Sequence, residues 1–587
     1  MNAFIENGPG TLVEALRWRA AHEGGERAVV FLASDGGEER TLTYAELDAR
    51  AAAVAECLAT RGPPGSRALL LYPPGLDFVA GFFGCLYAGW VGIPAMPPRG
   101  RASAGNHWTI LTDARPHLFL TTKAILPALT LSLARDGALP CPGIATDVLS
   151  PSAFGGRLPA AEDLAFLQYT SGSTSAPKGV MIRHRNIMAN VRALAAATRV
   201  EEAALFLGWL PVFHDMGLMS NVMLPICAGK PSVFLAPSAF LQAPFRWLEA
   251  ISRWGATLSG GPNFAYDLCS RKITDEKAAT LDLRAWQVAF CGAEPVRAST
   301  LERFEKKFKA SGFDRRAFFP CYGMAEATLF ITGRRASAPT IVVASRPEIA
   351  KGRLAEAPAG DPAPARLVGC GGPWADHRVQ IVDPETRETL PDGSIGEIWA
   401  SGPSLSDGYW NREDDNAPIF RAMTAGDARP EGPFLRTGDL GAVWNGELFI
   451  TGRRKDILII CGRNIHAEDV EQSIEAAHPA LQAGCGGVFG VDTEEGEEGI
   501  VALYEIERVA VRELDHEFLL KTVRAAVLET QGVGLHAALL VRTGQVPRSS
   551  SGKVQRAVCR SRYLAKEFDV LSAWNAAPSA GPNSDRK

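Results

Sequence analysis

The chain has 587 residues, of which 46% are hydrophobic and 21% are charged, and it carries a formal net charge of −4. These values predict a globular protein with room for several domain-sized units, and they argue against nucleic acid or another polyanion as a partner. The 11 cysteines are scattered and contain no Cys-x-x-Cys pair, which argues against a disulfide framework or a zinc ribbon and favours a reducing, cytoplasmic compartment.

Predicted helices and strands alternate through the first part of the chain. Thr43 and Glu46 have the spacing of a capping box, and the helix that they begin is predicted to end near Leu58. A buried strand is predicted at 67–72. The uncharged run 78–98 is long enough to cross a bilayer, but its glycines divide it into a buried helix and a short strand, so we predict no transmembrane segment. The alternation predicts an α/β fold with largely parallel sheets.

The segment 168–179 (QYTSGSTSAPKG) is rich in hydroxyl groups and glycine and ends in a lysine. Between two predicted strands, it fits either a flexible surface loop or a loop whose N–H groups, hydroxyls and ammonium group hold a phosphate. It is not the nucleotide loop in which Gly-Lys-Ser/Thr enters a helix, because here the lysine precedes the glycine. The candidate phosphate ligands are Thr170, Ser171, Gly172, Ser173, Thr174 and Lys178.

Four later motifs allow both a structural and a functional interpretation. His214 lies in a turn at 208–218 among apolar residues, where it belongs either to a core or to a pocket wall. The small residues at 290–296 form either a plain turn or a surface for a flat ring. Glu326 follows an aromatic residue and a glycine, and it is either a solvated acid or an oxygen ligand for Mg²⁺. Asp439, between glycines, is either the acceptor of an Asx turn or a ligand for two sugar hydroxyls.

The segment 331–372 is rich in alanine, proline, arginine and glycine and has no strong period. By composition alone it is a loop. The basic Ser/Gly segment 547–556 near the end of the chain is likewise either a solvent-exposed loop or part of a site. Composition alone assigns no function to either segment.

A further motif is the charged segment 452–456, which by itself is indistinguishable from a solvated turn between two predicted strands. Together with the six motifs above it makes seven, and in their order along the chain they resemble the motifs of the adenylate-forming superfamily, which includes acyl-CoA synthetases, luciferases and peptide-synthetase adenylation domains. The sequence HDMGL at 214–218 and an added segment near 343–367 resemble the fatty acyl-AMP ligases in particular. Ala467 departs from the family pattern, which has proline there. The resemblance implies a large N-terminal adenylation domain at 1–454 and a mobile α/β lid domain at 455–573. The remaining residues, 574–587, are predicted to form a disordered tail, because chain termini are commonly poorly ordered.

The resemblance also implies roles for individual residues. Lys553 bridges the acid and the α-phosphate of ATP, His214 lies between the phosphates and the acyl pocket, and Glu326 holds Mg²⁺. Lys455 is the hinge between the two domains. The implied nucleotide ligands are Gly292, Ala293 and Glu294 beside adenine, Tyr322, Gly323 and Met324 around the base, Asp439 at the ribose, and Arg453.

The implied activity is the ATP-dependent conversion of a medium- or long-chain fatty acid to an acyl-adenylate. The acyl group then passes to the phosphopantetheine thiol of a separate acyl carrier protein or of a carrier domain in a polyketide or peptide synthase. One alternative is a fatty acyl-CoA ligase on the same scaffold. Another is a non-catalytic acyl or nucleotide sensor, against which the intact set of Lys178, Glu326, Asp439 and Lys553 argues.

Overall fold

The computed structural model describes most of the chain. The described residues are 4–5, 8–33, 39–98, 105–134, 139–170, 177–200, 205–334, 337–361, 364–426, 430–460, 463–481, 484–493, 498–506, 514–548 and 554–576.

Strands and helices alternate along these ranges. The strands are β1 (Arg27–Leu32), β2 (Arg40–Thr43), β3 (Arg67–Leu70), β4 (Val91–Pro94), β5 (Leu118–Thr121), β6 (Gly143–Ala145), β7 (Leu164–Thr170), β8 (Lys178–Arg183), β9 (Phe206–Gly208), β10 (Ser232–Leu235), β11 (Leu258–Gly261), β12 (Val288–Cys291), β13 (Phe318–Gly323), β14 (Phe330–Gly333), β15 (Ile341–Ala344), β16 (Ala365–Val368), β17 (Gly372–Pro373), β18 (Arg378–Val382), β19 (Gly396–Ser401), β20 (Leu435–Trp444), β21 (Glu447–Arg453), β22 (Ile457–Ile460), β23 (Arg463–His466), β24 (Gly486–Asp492), β25 (Glu498–Ile506), β26 (Ala537–Arg542) and β27 (Val570–Asn575).

The helices fill most of the connections between these strands. They are α1 (Leu12–His22), α2 (Tyr44–Ala59), α3 (Leu76–Tyr87), α4 (Gly105–Ala114), α5 (Leu126–Leu133), α6 (His184–Thr198), α7 (Asp215–Leu218), α8 (Leu224–Ala228), α9 (Pro237–Gln242), α10 (Phe245–Trp254), α11 (Asn263–Lys272), α12 (Asp275–Ala278), α13 (Ala298–Phe308), α14 (Arg346–Ala350), α15 (Glu413–Phe420), α16 (Ala467–Ala477), α17 (His516–Gln531) and α18 (Arg556–Leu564), with a π-helical turn at Met219–Met223 and 3-10 turns at Arg315–Ala317, Ala325–Ala327 and Arg454–Asp456.

Two mostly parallel sheets form the centre of the molecule. The larger has the order β17-β14-β13-β12-β11-β9-β10-β1-β2, and the smaller has the order β6-β5-β3-β4-β7-β8. Antiparallel pairs occur at their edges, in β1–β2, β13–β14, β14–β17 and β7–β8. Central strands such as β4 and β11 are buried at every position, as expected for parallel strands covered on both faces. The predicted α/β fold is confirmed.

Predictions for the first part of the chain also agree with the structure. The capping box at Thr43 and Glu46 is formed, and it begins α2. The uncharged run 78–98 contains most of α3 and all of β4. No helix in the described part of the chain is both long and apolar enough to span a membrane.

The segment near 343–367, proposed as an insertion, contains regular secondary structure. β15 and β16 form an antiparallel hairpin that pairs Ile341 with Val368, and α14 lies between them. The buried side chains of this segment pack on Ala442 and Phe449, which belong to the antiparallel sheet β18-β19-β20-β21. The loop that composition predicts here is therefore wrong, because strands of four residues are too short to show a period in the sequence.

The C-terminal part forms a separate sheet with the order β24-β25-β26-β27 and its own apolar core. Ala467, which departs from the family pattern, is the first residue of α16, a position that suits alanine as well as proline. Trp574 and Asn575 belong to β27, so ordered structure continues past residue 573. The domain limits 1–454 and 455–573 stay predictions, and residues 577–587 lie outside the described part.

His184, the first residue of α6, is a buried histidine without a hydrogen-bond partner for Nδ1. Burial lowers the pKa of its imidazole to about 4. The unfolded chain, whose histidine has a pKa of about 6.5, therefore takes up a proton that the folded protein does not. The free energy of unfolding is expected to fall by up to about 3 kcal/mol as the pH drops from about 6.5 towards 4.

This dependence is measured by chemical denaturation at a series of pH values for the wild type and for His184→Gln. Other groups titrate equally in both proteins, so the difference between the two curves isolates His184. We expect the variant to lose part of the acid sensitivity. Parallel curves for the two proteins would contradict the assignment.

Candidate active site

Most of the residues predicted to bind substrates line one cavity of about 1940 Å³. Its walls come from both central sheets and from the C-terminal part. Ser171, Gly172, Ser173, Thr174 and Lys553 lie outside the described residues, and Gly292 does not line the cavity. The predicted residues that line it are Thr170, Lys178, His214, Ala293, Glu294, Tyr322, Gly323, Met324, Glu326, Asp439, Arg453 and Lys455.

The predicted phosphate loop begins and ends in the β7–β8 hairpin. Thr170 pairs with Lys178 across this hairpin, which holds the two ends of the loop together. Lys178 Nζ lies 3.5 Å from Asp415 Oδ2 and 4.9 Å from the ring centroid of Tyr409. The prediction that the loop joins two strands is confirmed.

Asp439 is a buried carboxylate that two donors hold in place. Its Oδ2 accepts a hydrogen bond of 2.7 Å from the Tyr322 hydroxyl, and its Oδ1 accepts one of 2.5 Å from Arg453 Nε. Asp439 and Arg453 are opposite each other on β20 and β21. Asp439 further raises the pKa of the Arg453 guanidinium, so this arginine stays charged. The arrangement brings together three residues that were predicted separately.

A second buried carboxylate, Glu397, fixes the turn before Asp439. Its Oε2 accepts hydrogen bonds from Arg436 Nη2 at 2.7 Å and from Trp399 Nε1 at 3.0 Å, and its Oε1 accepts one from Gly438 N at 3.3 Å. Gly438 has φ +72°, a left-handed conformation that glycine adopts without strain. The turn therefore presents Asp439 to the cavity in a fixed orientation.

Glu326 lies in the 3-10 turn Ala325–Ala327 and is only 7% exposed. Burial raises the pKa of its carboxyl group, and a hydrogen bond of 2.7 Å from the Tyr409 hydroxyl to Oε1 opposes that shift. No group of three or more His, Cys, Asp or Glu in the described part of the chain could hold a metal ion. A single carboxylate fits Mg²⁺, which binds through one or two carboxylates together with the phosphates of a nucleotide.

The predicted adenine segment stands where β12 ends beside β13. A Cβ on Gly292 would lie 2.9 Å from Cys321 Sγ, so glycine is needed for this close approach. Ala293 has φ +66°, which is strained for a residue with a side chain. Glu294 Oε1 accepts a hydrogen bond of 2.6 Å from Phe264 N, at the start of α11. In this structure Glu294 therefore fixes the loop.

The turn at His214 joins the phosphate hairpin to an apolar wall. Gln168 Nε2, on β7, donates a hydrogen bond of 3.2 Å to the carbonyl oxygen of Phe213. His214 Nδ1 contacts Asp215 Oδ1, and a Cβ on Gly217 would lie 2.1 Å from the Pro211 carbonyl oxygen. The nearby cavity wall is mainly apolar and includes Trp209, Met216, Met219, Leu224, Phe264 and Leu329.

The C-terminal part contacts the cavity wall through ion pairs. Arg297 Nη1, just after the adenine segment, pairs with Glu475 Oε2 of α16. Arg346 Nη1, in the proposed insertion, lies 3.1 Å from Asp469 Oδ1. Lys455, the predicted hinge, lies between these parts in the 3-10 turn Arg454–Asp456, and burial lowers the pKa of its ammonium group.

Sequence reasoning missed four residues that organise this site: Tyr409, Glu397, Arg436 and Arg297. The local patterns around Glu397 and Tyr409 indicate only a strand and a turn, and no motif assigns a role to either arginine. Each acts through a partner distant in sequence, up to 178 residues away for Arg297 and Glu475. A motif read locally does not reveal such a partner, and no signal in the sequence pointed to these pairs.

The Arg297–Glu475 pair predicts how the C-terminal part is held. Glu475→Ala leaves the largely buried Arg297 guanidinium unpaired, which costs about 3 kcal/mol. We expect faster limited proteolysis of the variant between residues 453 and 457, with fragments identified by mass spectrometry. Glu302→Ala, which breaks a more exposed pair with Arg366, serves as the control and is expected to match the wild type. Equal cleavage of Glu475→Ala and wild type would count against the contact.

The chain is similar to known proteins along nearly its whole length. Residues 16–410 match the family described as AMP-binding enzyme, and residues 455–573 match the family described as Disco-interacting protein 2-like, AMP domain. A medium-chain-fatty-acid–[acyl-carrier-protein] ligase, JamA of Moorena producens, is 38% identical over 578 residues, which cover 96% of each chain. The long-chain-fatty-acid–AMP ligase FadD32 of Mycolicibacterium smegmatis is 34% identical over 592 residues, or 94% of each chain.

A solved structure is similar over nearly the whole chain. The fatty acyl-adenylate ligase of L. pneumophila, in complex with acyl adenylate and pyrophosphate, is 34% identical, with a TM-score of 0.73. The alignment covers 97% of the present chain and 98% of the other. The resemblance to fatty acyl-AMP ligases that the motifs indicated is confirmed, and the chain belongs to the AMP-binding enzyme family.

Proposed function

We propose that the protein uses ATP to convert a medium- or long-chain fatty acid to an acyl-adenylate and then transfers the acyl group to the phosphopantetheine thiol of an acyl carrier protein. The observation that carries the proposal is one cavity in which Lys178, Glu326 and the Asp439–Arg453 pair lie beside an apolar wall. That combination suits a triphosphate and an alkyl chain at once. The free state of all ten described cysteines supports a reducing compartment such as the cytoplasm.

In the first half-reaction, a carboxylate oxygen of the acid attacks the α-phosphorus, and the bond to the pyrophosphate oxygen breaks. Two anions must meet, so positive charge is required where they approach. We assign the leaving pyrophosphate to Lys178 and the loop 170–174, and the bridge between the acid and the α-phosphate to Lys553. Mg²⁺ held by Glu326 would neutralise phosphate charge.

We assign the nucleoside to residues that contacts within the protein already hold in place. Asp439 has acceptor capacity beyond its two present donors, and it can receive the hydroxyl groups of the ribose. Arg453 contributes charge next to it. Ala293, Glu294, Tyr322, Gly323 and Met324, which all line the cavity, are assigned to the base. Gly292 supports this site indirectly, through its close approach to Cys321. His214 separates this polar end from the apolar wall, along which the alkyl chain lies.

In the second half-reaction, the thiol sulfur attacks the acyl carbon, the bond to the adenylate oxygen breaks, and AMP leaves. The phosphopantetheine arm needs a path to the cavity, and rotation of the C-terminal part about Lys455 supplies one. The Arg297–Glu475 and Arg346–Asp469 pairs must separate for this rotation. Both pairs lie at a boundary and involve no backbone pairing, so they are broken without unfolding either part.

We predict that Lys553→Ala abolishes adenylate formation and leaves ATP binding intact. Removing one preorganised cation at the developing charge costs about 3 kcal/mol or more, which corresponds to at least about a hundredfold in rate. Pyrophosphate release and ATP binding are measured separately on the same preparation. Lys566→Ala, which changes an exposed lysine in the same part of the chain, is the control. Near-normal adenylate formation by Lys553→Ala would rule out the assignment.

The proposed activity is tested by mass spectrometry of reactions that contain ATP, Mg²⁺ and fatty acids of different lengths. Each reaction is run with CoA and, separately, with a phosphopantetheinylated carrier protein. We expect acyl-AMP to accumulate with CoA and to be consumed by the carrier protein. Rapid formation of acyl-CoA would identify a CoA ligase, and the absence of any adenylate would identify a non-catalytic binder.

A further inference from the structure

The segment around Tyr409 lies alongside β8, the second strand of the phosphate hairpin. Trp410 N donates a hydrogen bond of 2.7 Å to the carbonyl oxygen of Gly179. Tyr409 itself forms an antiparallel bridge with Val180. Because both contacts are made to β8, the backbone of Tyr409 is fixed relative to the strand that begins with Lys178.

The side chain of Asn416 holds the backbone of Tyr409 from the other direction. Its Oδ1 accepts a hydrogen bond of 2.7 Å from Tyr409 N, and its Nδ2 donates one of 2.9 Å to Tyr409 O. The Phe420 ring meets the Tyr409 ring edge-on at 5.0 Å. The Tyr409 side chain, only 9% exposed, therefore has little freedom to move.

The Tyr409 hydroxyl and ring contact two different groups of the proposed site. The hydroxyl donates to Glu326 Oε1 at 2.7 Å, a charge-assisted bond in a buried place. The ring face lies 4.9 Å from Lys178 Nζ, within the range of a cation–π interaction. A hydroxyl has one proton to donate, so it occupies one acceptor position and leaves further acceptor capacity on the carboxylate.

We propose that Tyr409 is a positioning residue for both groups. Its hydroxyl holds the Glu326 carboxylate in the orientation that can take Mg²⁺, and its ring seats the Lys178 ammonium group at the end of the phosphate loop. One rigid side chain thereby sets the distance between the metal ligand and the phosphate ligand. This inference rests on the proposed function, which supplies the nucleotide and the metal ion that these two groups bind.

Two substitutions separate the contributions of the hydroxyl and of the ring. Tyr409→Phe removes the hydrogen bond to Glu326 and keeps the ring beneath Lys178. Tyr409→Leu removes both. The matched control is Tyr87→Phe, because Tyr87 is also buried and donates a hydrogen bond of 2.6 Å to the Asp48 carboxylate, away from the cavity.

The measurement is calorimetric binding of α,β-methylene-ATP, which cannot form an adenylate, at a series of Mg²⁺ concentrations. We expect Tyr409→Phe to need about tenfold more Mg²⁺ for half-maximal binding, with little change at saturating Mg²⁺. Tyr409→Leu is expected also to bind about fivefold more weakly at saturating Mg²⁺, because the cation–π contact is lost. Tyr87→Phe is expected to follow the wild type.

A double-mutant cycle tests whether Tyr409 acts through Glu326. Adding Tyr409→Phe to Glu326→Gln is expected to leave the Mg²⁺ requirement of the single Glu326→Gln variant unchanged. If Tyr409→Phe does not fold, Asn416→Ala, which releases the Tyr409 backbone and keeps its ring, is expected to raise the Mg²⁺ requirement in the same direction.

The outcomes distinguish this inference from the proposed function. Identical Mg²⁺ dependence in wild type and Tyr409→Phe, or additive effects in the cycle, would overturn the role of Tyr409. A wild type that binds the analogue and forms no adenylate contradicts the proposed function, and the binding comparison still decides the role of Tyr409.

Discussion

The arrangement of the cavity depends on three buried carboxylates, which have lost contact with water and need hydrogen-bond donors from the protein. Glu326, Glu397 and Asp439 are each less than 8% exposed, and a buried charge is tolerated only where donors surround it. Their donors come from Tyr409, from Arg436 and Trp399, and from Tyr322 and Arg453, respectively. Each carboxylate thereby fixes a turn against another element. The polar contacts that satisfy buried charge are also the contacts that shape the site.

Features of this structure that depend on residues close together in the sequence could be predicted, and features that depend on distant residues could not. The capping box at Thr43 and the two strands that flank the phosphate loop depend on neighbours within a few residues, and local patterns predict both. The Tyr409–Glu326 contact spans 83 residues, and a pattern of adjacent residues holds no trace of it. Strand order and the hairpin at Ile341–Ala344 and Ala365–Val368 likewise depend on packing between distant segments. The roles of single residues came from family motifs, which preserve the outcome of such packing.

Two ion pairs between the described residues of the large part and α16 have the same polarity. The large part contributes the cations Arg297 and Arg346, and α16 contributes the anions Glu475 and Asp469. Complementary charge of this kind fixes the orientation of two surfaces more than it strengthens their association. Such pairs break and form again without loss of apolar packing. This suits the proposed rotation, in which the C-terminal part leaves the cavity and returns to it.

The edges of the nine-stranded sheet have a consequence for the protein at high concentration. Unpaired edge strands offer free N–H and C=O groups to other chains, which is a common route to aggregation. One edge here is β17, which has two residues, one of them a proline that lacks an N–H group. The other is β2, which has four residues and begins with an exposed arginine. Both edges are therefore poor templates for pairing with a strand of another molecule.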